Sequence, residues 1–226
     1  MNIKIYTMPK TEKITNEMSF NQNSIMTIYM EDVLENGHES LNVFSFCKKY
    51  KIEEPVFYSY FGSFKAIKER IWVAFFENVE KVIEENKDFK SYSGKDKLLT
   101  FYFTLFELFT LNRSYIIHVL DAEKNHFKNC IQLKEFRKLF KKFIEKNIES
   151  PIKNEKIANY TNSVMGKGAW IQFLFILKFW MDDTSANFEK TDILIEKSIT
   201  TSSLFLDAKP LESLFDLTKF LFKEKM

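Results

Sequence analysis

Phosphate binding is the chemistry that the residues of this 226-residue chain suggest most directly. Lys48, Lys49 and Lys51 form a basic cluster, the hydroxyl groups of Tyr58 and Ser59 follow it, and another lysine stands at position 65. Ammonium and hydroxyl groups are common ligands of nucleic-acid phosphates. These groups are therefore candidates for phosphate binding.

Catalytic and metal-binding chemistry finds little support in the rest of the sequence. The histidines are scattered, and His118 and His126 lie about two helical turns apart, too far along one face for easy chelation. Solvation or turn formation at a helix end explains the acidic pair at positions 182 and 183. Gly166 and Gly168 are too close together for a phosphate-binding loop, and no strand precedes them. We therefore predict a protein that is not an enzyme and that uses no metal or cofactor.

The phosphate-binding candidates lie on two short predicted helices joined by a tight turn. Asn42 is a good N-cap, and Phe46 and Cys47 contribute to one apolar face of the first helix. Residues 50–53 form the turn. Pro55 suits the first turn of the next helix, where its missing N–H would have no intrahelical partner. Two helices joined in this way predict a helix-turn-helix.

Residues 25–67 resemble the N-terminal domain of the TetR family of bacterial transcription regulators. The strongest match is the run Phe57-Tyr58-Ser59-Tyr60-Phe61-Gly62-Ser63, and Glu35-Asn36-Gly37 matches the end of the first helix, where Gly37 fits a left-handed position. Further matches are Ile25, Met26, Val43 and Phe46. The resemblance implies an all-α fold in which a three-helix helix-turn-helix domain precedes a larger helical domain for ligand binding and dimerisation.

The same resemblance implies a homodimer that binds operator DNA and responds to an apolar small molecule in its C-terminal domain. The second helix of the motif would enter the major groove, while flanking groups contact phosphates. The residues assigned to DNA binding in this way are Asn42, Phe44, Lys48, Lys49, Lys51, Glu54, Val56, Tyr58, Ser59 and Lys65.

Several residues of this head differ from the usual family pattern. Lys51 stands where glycine is usual, so it must adopt a left-handed conformation or reshape the turn. Glu53 replaces a serine or threonine cap, Phe64 replaces a lysine, and Phe44 replaces a polar residue. Residues 1–68 carry eight lysines, eight carboxylates and no arginine, so cationic contacts to DNA are few and the commonest guanine reader is missing. A head retained for packing, without DNA binding, is the alternative.

The run from residue 170 to residue 199 predicts two antiparallel helices with broad apolar faces. Such helices suit a dimer-forming four-helix bundle, which is the usual interface of the resembled family, although they could also pack within one chain. The candidate dimerisation residues are Phe173, Leu177, Met181, Phe188, Ile195 and Ile199.

Part of this run is also similar to a second group of TetR-fold proteins, the lipid-binding accessory proteins of ubiquinone biosynthesis, which do not bind DNA. The similarity lies in the aromatic helix, in Asp-Asp-Thr-Ser at 182–185 and in Phe-Glu-Lys-Thr at 188–191. It implies a rival function, a lipid- or isoprenoid-binding protein that has lost DNA binding.

Aromatic residues also suggest an apolar ligand pocket in the C-terminal helices. The chain contains 25 phenylalanines, and core packing must take most of them. The candidate ligand-binding residues are Phe103, Phe106, Tyr115, His118, Phe127, Trp170 and Phe173. An aromatic-walled cavity with few polar groups favours an apolar or aromatic ligand, while plain core packing remains the simpler interpretation of each residue.

Composition bounds the remaining expectations. With 5 glycines and 4 prolines the chain has few turns and long helices. A net charge of +2 does not by itself make the whole chain a polyanion binder. The two cysteines lack metal spacing, no N-terminal signal appears, and no apolar run is long enough to span a bilayer. We expect a cytoplasmic protein without a membrane span.

The predicted organisation has three parts. Residues 1–21 form a flexible arm, residues 22–70 the helix-turn-helix domain, and residues 71–226 the helical domain for ligand binding and dimerisation. Beyond the two helices of the motif, the apolar periodicity predicts helices over about residues 22–36, 63–86, 95–111, 115–125, 131–147, 154–182, 187–206 and 210–223.

Overall fold

Helices account for most of the chain that the computed structural model describes, which is residues 20–121, 130–148 and 155–204. No strand occurs within these ranges, and the predicted all-α fold is confirmed. The α-helices are α1 (Gln22–Asn36), α2 (Val43–Tyr50), α3 (Glu54–Tyr60), α4 (Phe64–Glu85), α5 (Gly94–Leu111), α6 (Arg113–Asp121), α7 (Lys134–Asn147), α8 (Glu155–Asp182) and α9 (Glu189–Leu204). Short 3₁₀ helices cover Phe89–Ser91, Cys130–Leu133 and Ala186–Phe188.

Most helix boundaries agree with the sequence pattern, and the differences have local causes. α1 has the predicted bounds: the side chain of Asn21 caps its start, and Gly37 takes the expected left-handed conformation at its end, with φ 71°. The helix predicted from residue 187 begins instead at Glu189, because Asn187 and Phe188 both have positive φ. Backbone in that region cannot continue a right-handed helix.

Two further expectations need correction or lie outside the described residues. The helix predicted over 131–147 is divided, because the 3₁₀ turn Cys130–Leu133 precedes α7. Residues 1–19 of the predicted arm, Phe127 and the helix predicted over 210–223 lie outside the part of the chain that the structure describes.

The chain divides into two compact units, and the first extends past the boundary predicted at residue 70. The first unit contains the described residues of 20–82 and 104–138, and the second contains those of 83–103 and 139–204. α4 runs without interruption from Phe64 to Glu85. The helix-turn-helix head therefore forms one part of a larger first unit.

The head, which consists of α1, α2, α3 and the start of α4, packs around the ring of Phe46. The ring centroids of Tyr29, Tyr50, Phe57 and Phe64 lie between 5.2 and 6.2 Å from the centroid of Phe46. Phe46 and Phe57 are completely buried. Edge-to-face and tilted ring pairs at these distances are favourable. The aromatic residues of the motif thus hold α3 against α1 and α2.

Aromatic residues also form the core of the second unit. The rings of Phe101 on α5 and Phe143 on α7 lie 4.4 Å apart, and Phe140 lies 5.6 Å from Phe173 on α8. α8 and α9 pack against each other, as expected for the run from 170 to 199. This unit therefore uses most of its aromatic side chains for packing within the chain.

Candidate nucleic-acid interface and outer helix faces

The turn between α2 and α3 contains a lysine in a glycine-like conformation. Lys51 has φ 56° and ψ 36°, so of the two alternatives left open by the sequence it takes the left-handed conformation. The N–H of Ile52 donates to the carbonyl oxygen of Cys47 at 2.9 Å, which closes the end of α2. At the other end of α2, Asn42 accepts a hydrogen bond from the N–H of Ser45 at 2.8 Å. A left-handed lysine costs roughly 1–2 kcal/mol. The packing of α2 and α3 on either side of the turn must therefore compensate for this cost.

α3 begins without a side-chain cap. Glu53 occupies the N-cap position, but its carboxylate accepts no hydrogen bond from the first turn. The N–H groups of Val56 and Phe57 donate to the carbonyl oxygen of Glu53 at 2.9 and 3.1 Å. Pro55 removes one donor from the first turn, so fewer groups need a partner there. Proline and the buried ring of Phe57, rather than a cap, therefore set the start of α3.

The outer side of α3 is open to solvent. Its members, which we call the α3 face, are Glu54, Pro55, Val56, Tyr58 and Ser59. Tyr58 is 51% exposed, Pro55 and Ser59 are exposed, and Glu54 and Val56 are half-buried. The hydroxyl of Ser59 donates to the carbonyl oxygen of Val56 at 2.7 Å. The α3 face thus presents mainly apolar surface, one carboxylate and the phenol of Tyr58.

Lys49 does not share the surroundings of its neighbours in the basic cluster. Its ammonium group lies 2.7 Å from a carboxylate oxygen of Asp32, which is completely buried on α1. The hydroxyls of Tyr50 and Ser40 donate to the same carboxylate at 2.9 and 2.7 Å. Burial acts to raise the pKa of Asp32, but the hydrogen bonds from Lys49, Ser40 and Tyr50 outweigh it and lower that pKa. Lys49 therefore joins α2 to α1 and is not an unengaged phosphate ligand.

Sequence reasoning missed Asp32, although a signal for it was present. Asp32 stands between Tyr29 and Val33, both of which belong to the predicted buried stripe of α1. A carboxylate beside such a stripe needs a charged or hydrogen-bonding partner. The sequence could not indicate that the partner would be Lys49, because 17 positions separate them along the chain.

The other lysines assigned to phosphate binding are exposed. Lys48, Lys51 and Lys65 all reach solvent. The ammonium group of Lys48 lies 5.9 Å from the ring centroid of Phe44, which is 56% exposed on the same helix. Lys65 lies 3.9 Å from Glu69, a surface pair that contributes little. These three lysines and Phe44 flank the α3 face along the chain.

A family comparison adds an observation from a different part of the chain. Residues 97–221, more than half of the sequence, match the family model of a tetracyclin repressor-like C-terminal domain. The chain belongs to the TetR family. The matched segment begins within α5, whereas the resemblance noted above lies in the head. The head and the C-terminal part of this TetR-family chain therefore indicate the same family. A comparison with curated proteins finds no match.

The residues predicted for dimerisation of this TetR-family chain lie mostly inside it. Phe173, Leu177, Ile195 and Ile199 are buried in a single chain, and α8 and α9 pack against each other. Met181 and Phe188 are half-buried, and the ring of Phe188 lies 6.2 Å from that of Trp180. Among the side chains that the structure describes on these two helices, the large apolar ones that are exposed are Ile171 at 67%, Phe175 at 59% and Ile193 at 49%, a set that we call the outer face.

The acidic pair before α9 forms a turn and not a pair of reacting carboxylates. Asp182 is exposed and lies 3.0 Å from the ammonium group of Lys178. Asp183 is buried and accepts hydrogen bonds from the N–H and hydroxyl of Thr191 at 3.0 and 2.6 Å, and from the hydroxyl of Ser185 at 2.7 Å. Burial opposes these hydrogen bonds but is outweighed by them, so the pKa of Asp183 falls to about 2.

The candidate ligand-binding residues occupy varied surroundings. Trp170 and Phe173 stack with ring centroids 5.1 Å apart in the second unit, where Phe103 is 39% exposed. In the first unit Phe106 and Tyr115 are buried and His118 is half-buried. The Tyr115 hydroxyl is buried with no hydrogen-bond partner among the described residues, and burial raises its pKa. Buried polar atoms are normally hydrogen-bonded, so this hydroxyl could donate to an acceptor on a bound molecule.

Two searches of the described residues concern other kinds of site. Among these residues, no three His, Cys, Asp or Glu side chains come together in a way that could hold a metal ion. No helix of the described ranges is both long and apolar enough to cross a membrane.

Proposed function

We propose that this protein is a cytoplasmic transcription regulator of the TetR type, a homodimer that binds operator DNA through its two heads. The α3 face is the observation that carries the proposal, because the aromatic core of the head holds it outward between exposed lysines. In helix-turn-helix proteins the second helix enters the major groove while neighbouring groups hold the backbone. The α3 face would contact base edges, and Lys48, Lys51 and Lys65 would contact phosphates.

The exposed charges set the expected strength and salt dependence of DNA binding. Lys48, Lys51 and Lys65 in two heads provide six cations, which correspond to a slope of about −5 for log K against log salt. Lys49 would add little, because Asp32 holds it. Glu53 and Glu54 would oppose the phosphates at short range. We therefore expect binding that weakens steeply as the salt concentration rises.

The outer face on α8 and α9 supports the dimer. Ile171 and Phe175 are four residues apart and share one side of α8, and Ile193 is exposed on α9. We propose that these three residues lie at the centre of the interface, while Phe173 and Ile195 support it from inside each chain. Two copies of such a helix pair would form the four-helix bundle that the sequence suggested.

An apolar small molecule would regulate this dimer. The aromatic residues of the C-terminal helices support a ligand that is mainly apolar, and so does the buried hydroxyl of Tyr115, which has no partner in the part of the chain that the structure describes. Such a ligand changes DNA affinity only if it binds one spacing of the two heads better than another. By linkage, DNA would then change the ligand affinity by the same factor by which the ligand changes the DNA affinity.

The second candidate is a lipid- or isoprenoid-binding protein without DNA affinity. The observation that favours it is the ion pair of Lys49 with Asp32, which leaves fewer unpaired cations beside Glu53 and Glu54. In this case the head would serve only as a packed part of the first unit.

Electrophoretic mobility shift across a salt series separates the two candidates. The full chain is titrated against duplex DNA from the upstream region of its own gene, with native mass spectrometry of the purified protein in parallel. The double variant Lys48→Glu/Lys51→Glu should lose the shift. Its matched control, Lys87→Glu/Lys90→Glu, makes the same change of charge at exposed positions outside the head and should retain it. No shift of the wild type even at low salt, together with a co-purified lipid, would favour the second candidate.

A further inference from the structure

The α3 face lacks the side chains that read guanine. The helix sequence from Glu54 to Tyr60 contains no arginine, lysine, asparagine or glutamine. In the major groove guanine presents two acceptors, O6 and N7, and its readers are paired donors such as arginine. Adenine is usually read by asparagine or glutamine, which are also absent. α3 therefore cannot make the paired hydrogen bonds that commonly distinguish the purines.

The hydroxyl groups of α3 add little to the groups that could hydrogen-bond to a base. The Ser59 hydroxyl already donates its proton to the carbonyl oxygen of Val56 at 2.7 Å, so only its lone pairs remain for DNA. The Tyr60 hydroxyl lies 3.4 Å from the carbonyl oxygen of Phe20, at the end of α3. Tyr58 retains its phenol as a donor, but a single hydroxyl cannot make two parallel bonds to one base.

The remaining groups at the start of α3 are apolar surface and one acceptor. Pro55 is exposed and Val56 half-buried, and both lie in the first turn of α3, the part of a recognition helix that contacts base edges. Thymine alone of the four bases carries a methyl group in the major groove. The carboxylate of Glu54 can accept a hydrogen bond from the amino group of adenine or cytosine, but not from guanine.

We infer that Pro55 and Val56 recognise thymine methyl groups, so that each operator half-site carries T·A pairs where α3 enters and does not depend on guanine there. The inference rests on the proposed function and names the class of DNA that the α3 face accepts. Specificity then comes from apolar contact and not from arginine-type hydrogen bonds.

The test begins with the wild-type full chain at low salt and a pool of random-sequence duplexes. The selected duplex is then resynthesised with deoxyuridine in place of each half-site thymine, which removes only the methyl group. Each contacted methyl should contribute roughly a fourfold difference in Kd, the effect of about one buried methylene. Replacement of guanines by 7-deazaguanine in the same half-sites is the matched control, and it should leave Kd unchanged.

Two variants connect this effect to particular residues. Val56→Ala should reduce the preference for thymine over uracil at one position of each half-site. Val82→Ala, at a half-buried valine of α4, should retain the full preference, and circular dichroism checks that both variants fold.

The outcomes separate the inference from the function on which it rests. Binding that ignores the thymine methyls, or that weakens with 7-deazaguanine, overturns the inference and leaves the proposed function in place. A chain that binds no duplex at low salt overturns both.

Discussion

Two buried carboxylates, one in each unit, are partnered in different ways. Asp32 in the head holds the ammonium group of Lys49, in addition to neutral donors. Asp183 in the second unit is held by the neutral groups of Ser185 and Thr191. The head thus uses a positive charge for packing that a DNA-binding surface would otherwise use, whereas at the turn before α9 hydroxyl groups bind the carboxylate. In the head, packing and DNA binding would therefore compete for Lys49.

The exposed surfaces of the same two units also differ in chemistry. The α3 face is mixed, with one carboxylate and a phenol among apolar groups, and lysines flank it along the chain. The outer face on α8 and α9 is formed by large apolar side chains such as Phe175. A mixed face suits a partner that can be released by salt, and an apolar face suits a permanent partner such as a second copy.

Removal of the Asp32 carboxylate should have the largest effect. Asp32→Ala leaves Lys49, Tyr50 and Ser40 without their common acceptor, and we expect the loss of these hydrogen bonds to a buried charged acceptor to cost about 3 kcal/mol. Urea unfolding followed by circular dichroism measures the loss. Asp121→Ala, at the exposed end of α6, is the control and should change stability by less than about 0.5 kcal/mol. Equal stabilities of the two variants would mean that the Asp32 cluster does not hold the head together.

A charge on the outer face should break the dimer without unfolding the chain. Phe175→Glu places a carboxylate at the proposed centre of the interface, and loss of a central aromatic residue costs about 2 kcal/mol or more, at least about 30-fold in dimer Kd. Sedimentation velocity over a concentration series measures this change. Leu111→Glu, at an exposed leucine of α5, should leave the dimer intact. A wild-type chain that is monomeric at all working concentrations would contradict the proposed dimer and the role of the outer face.

Removal of the Asp183 carboxylate should destabilise the chain less than removal of the Asp32 carboxylate. The size of this loss should depend on pH. Asp183→Ala removes the acceptor for Thr191 and Ser185, a loss of about 1–2 kcal/mol that is comparable with loss of a helix cap. Asp182→Ala removes only a surface pair with Lys178 and is the adjacent control. Urea midpoints of both variants and of the wild type measure the difference near neutral pH.

The sign of the pH dependence follows from the depressed pKa. In the folded chain the pKa of Asp183 is about 2, against an ordinary value of 3.8. Ionised Asp183 therefore stabilises the fold fully above its unfolded pKa, and this contribution is lost as the pH falls towards 2. The gap between wild type and Asp183→Ala should narrow between about pH 5 and about pH 3. A gap that widens on acidification would contradict this account of Asp183.

The smallest expected effect concerns the left-handed turn of the head. Lys51→Gly relieves the backbone cost of φ 56° and should raise stability by about 1 kcal/mol. Lys48→Gly, inside α2, should lower it by about 1 kcal/mol, because glycine disfavours a helix interior. Thermal unfolding of the two variants measures these opposite shifts. A loss of stability in Lys51→Gly would show that the lysine side chain contributes more than its backbone conformation costs.

Local features of this protein could be predicted well from the sequence. Asn42 as a cap, Gly37 as a left-handed residue and Pro55 in the first turn of α3 all depend on a few neighbouring residues. Such features follow from φ and ψ preferences and from hydrogen bonds within one turn. The bounds of α1 were predicted for the same reason.

The assignment of side chains to partners could not be predicted in this way. Periodicity identified the apolar stripes of α8 and α9, but it could not indicate that Phe173 and Ile195 would be buried within one chain while Ile171 and Phe175 stay exposed. The same limit applies to Asp32 and Lys49, since nothing within one turn of either residue indicates the other.

By itself the sequence determined the all-α class, the helix-turn-helix and the family, because these depend on short-range patterns that survive without knowledge of the fold. Only the tertiary structure decided which lysine pairs with the buried Asp32 and which apolar face of α8 and α9 remains exposed. Those outcomes depend on how helices that are distant in sequence pack against each other, because this packing decides which charges are buried and which helix faces stay exposed.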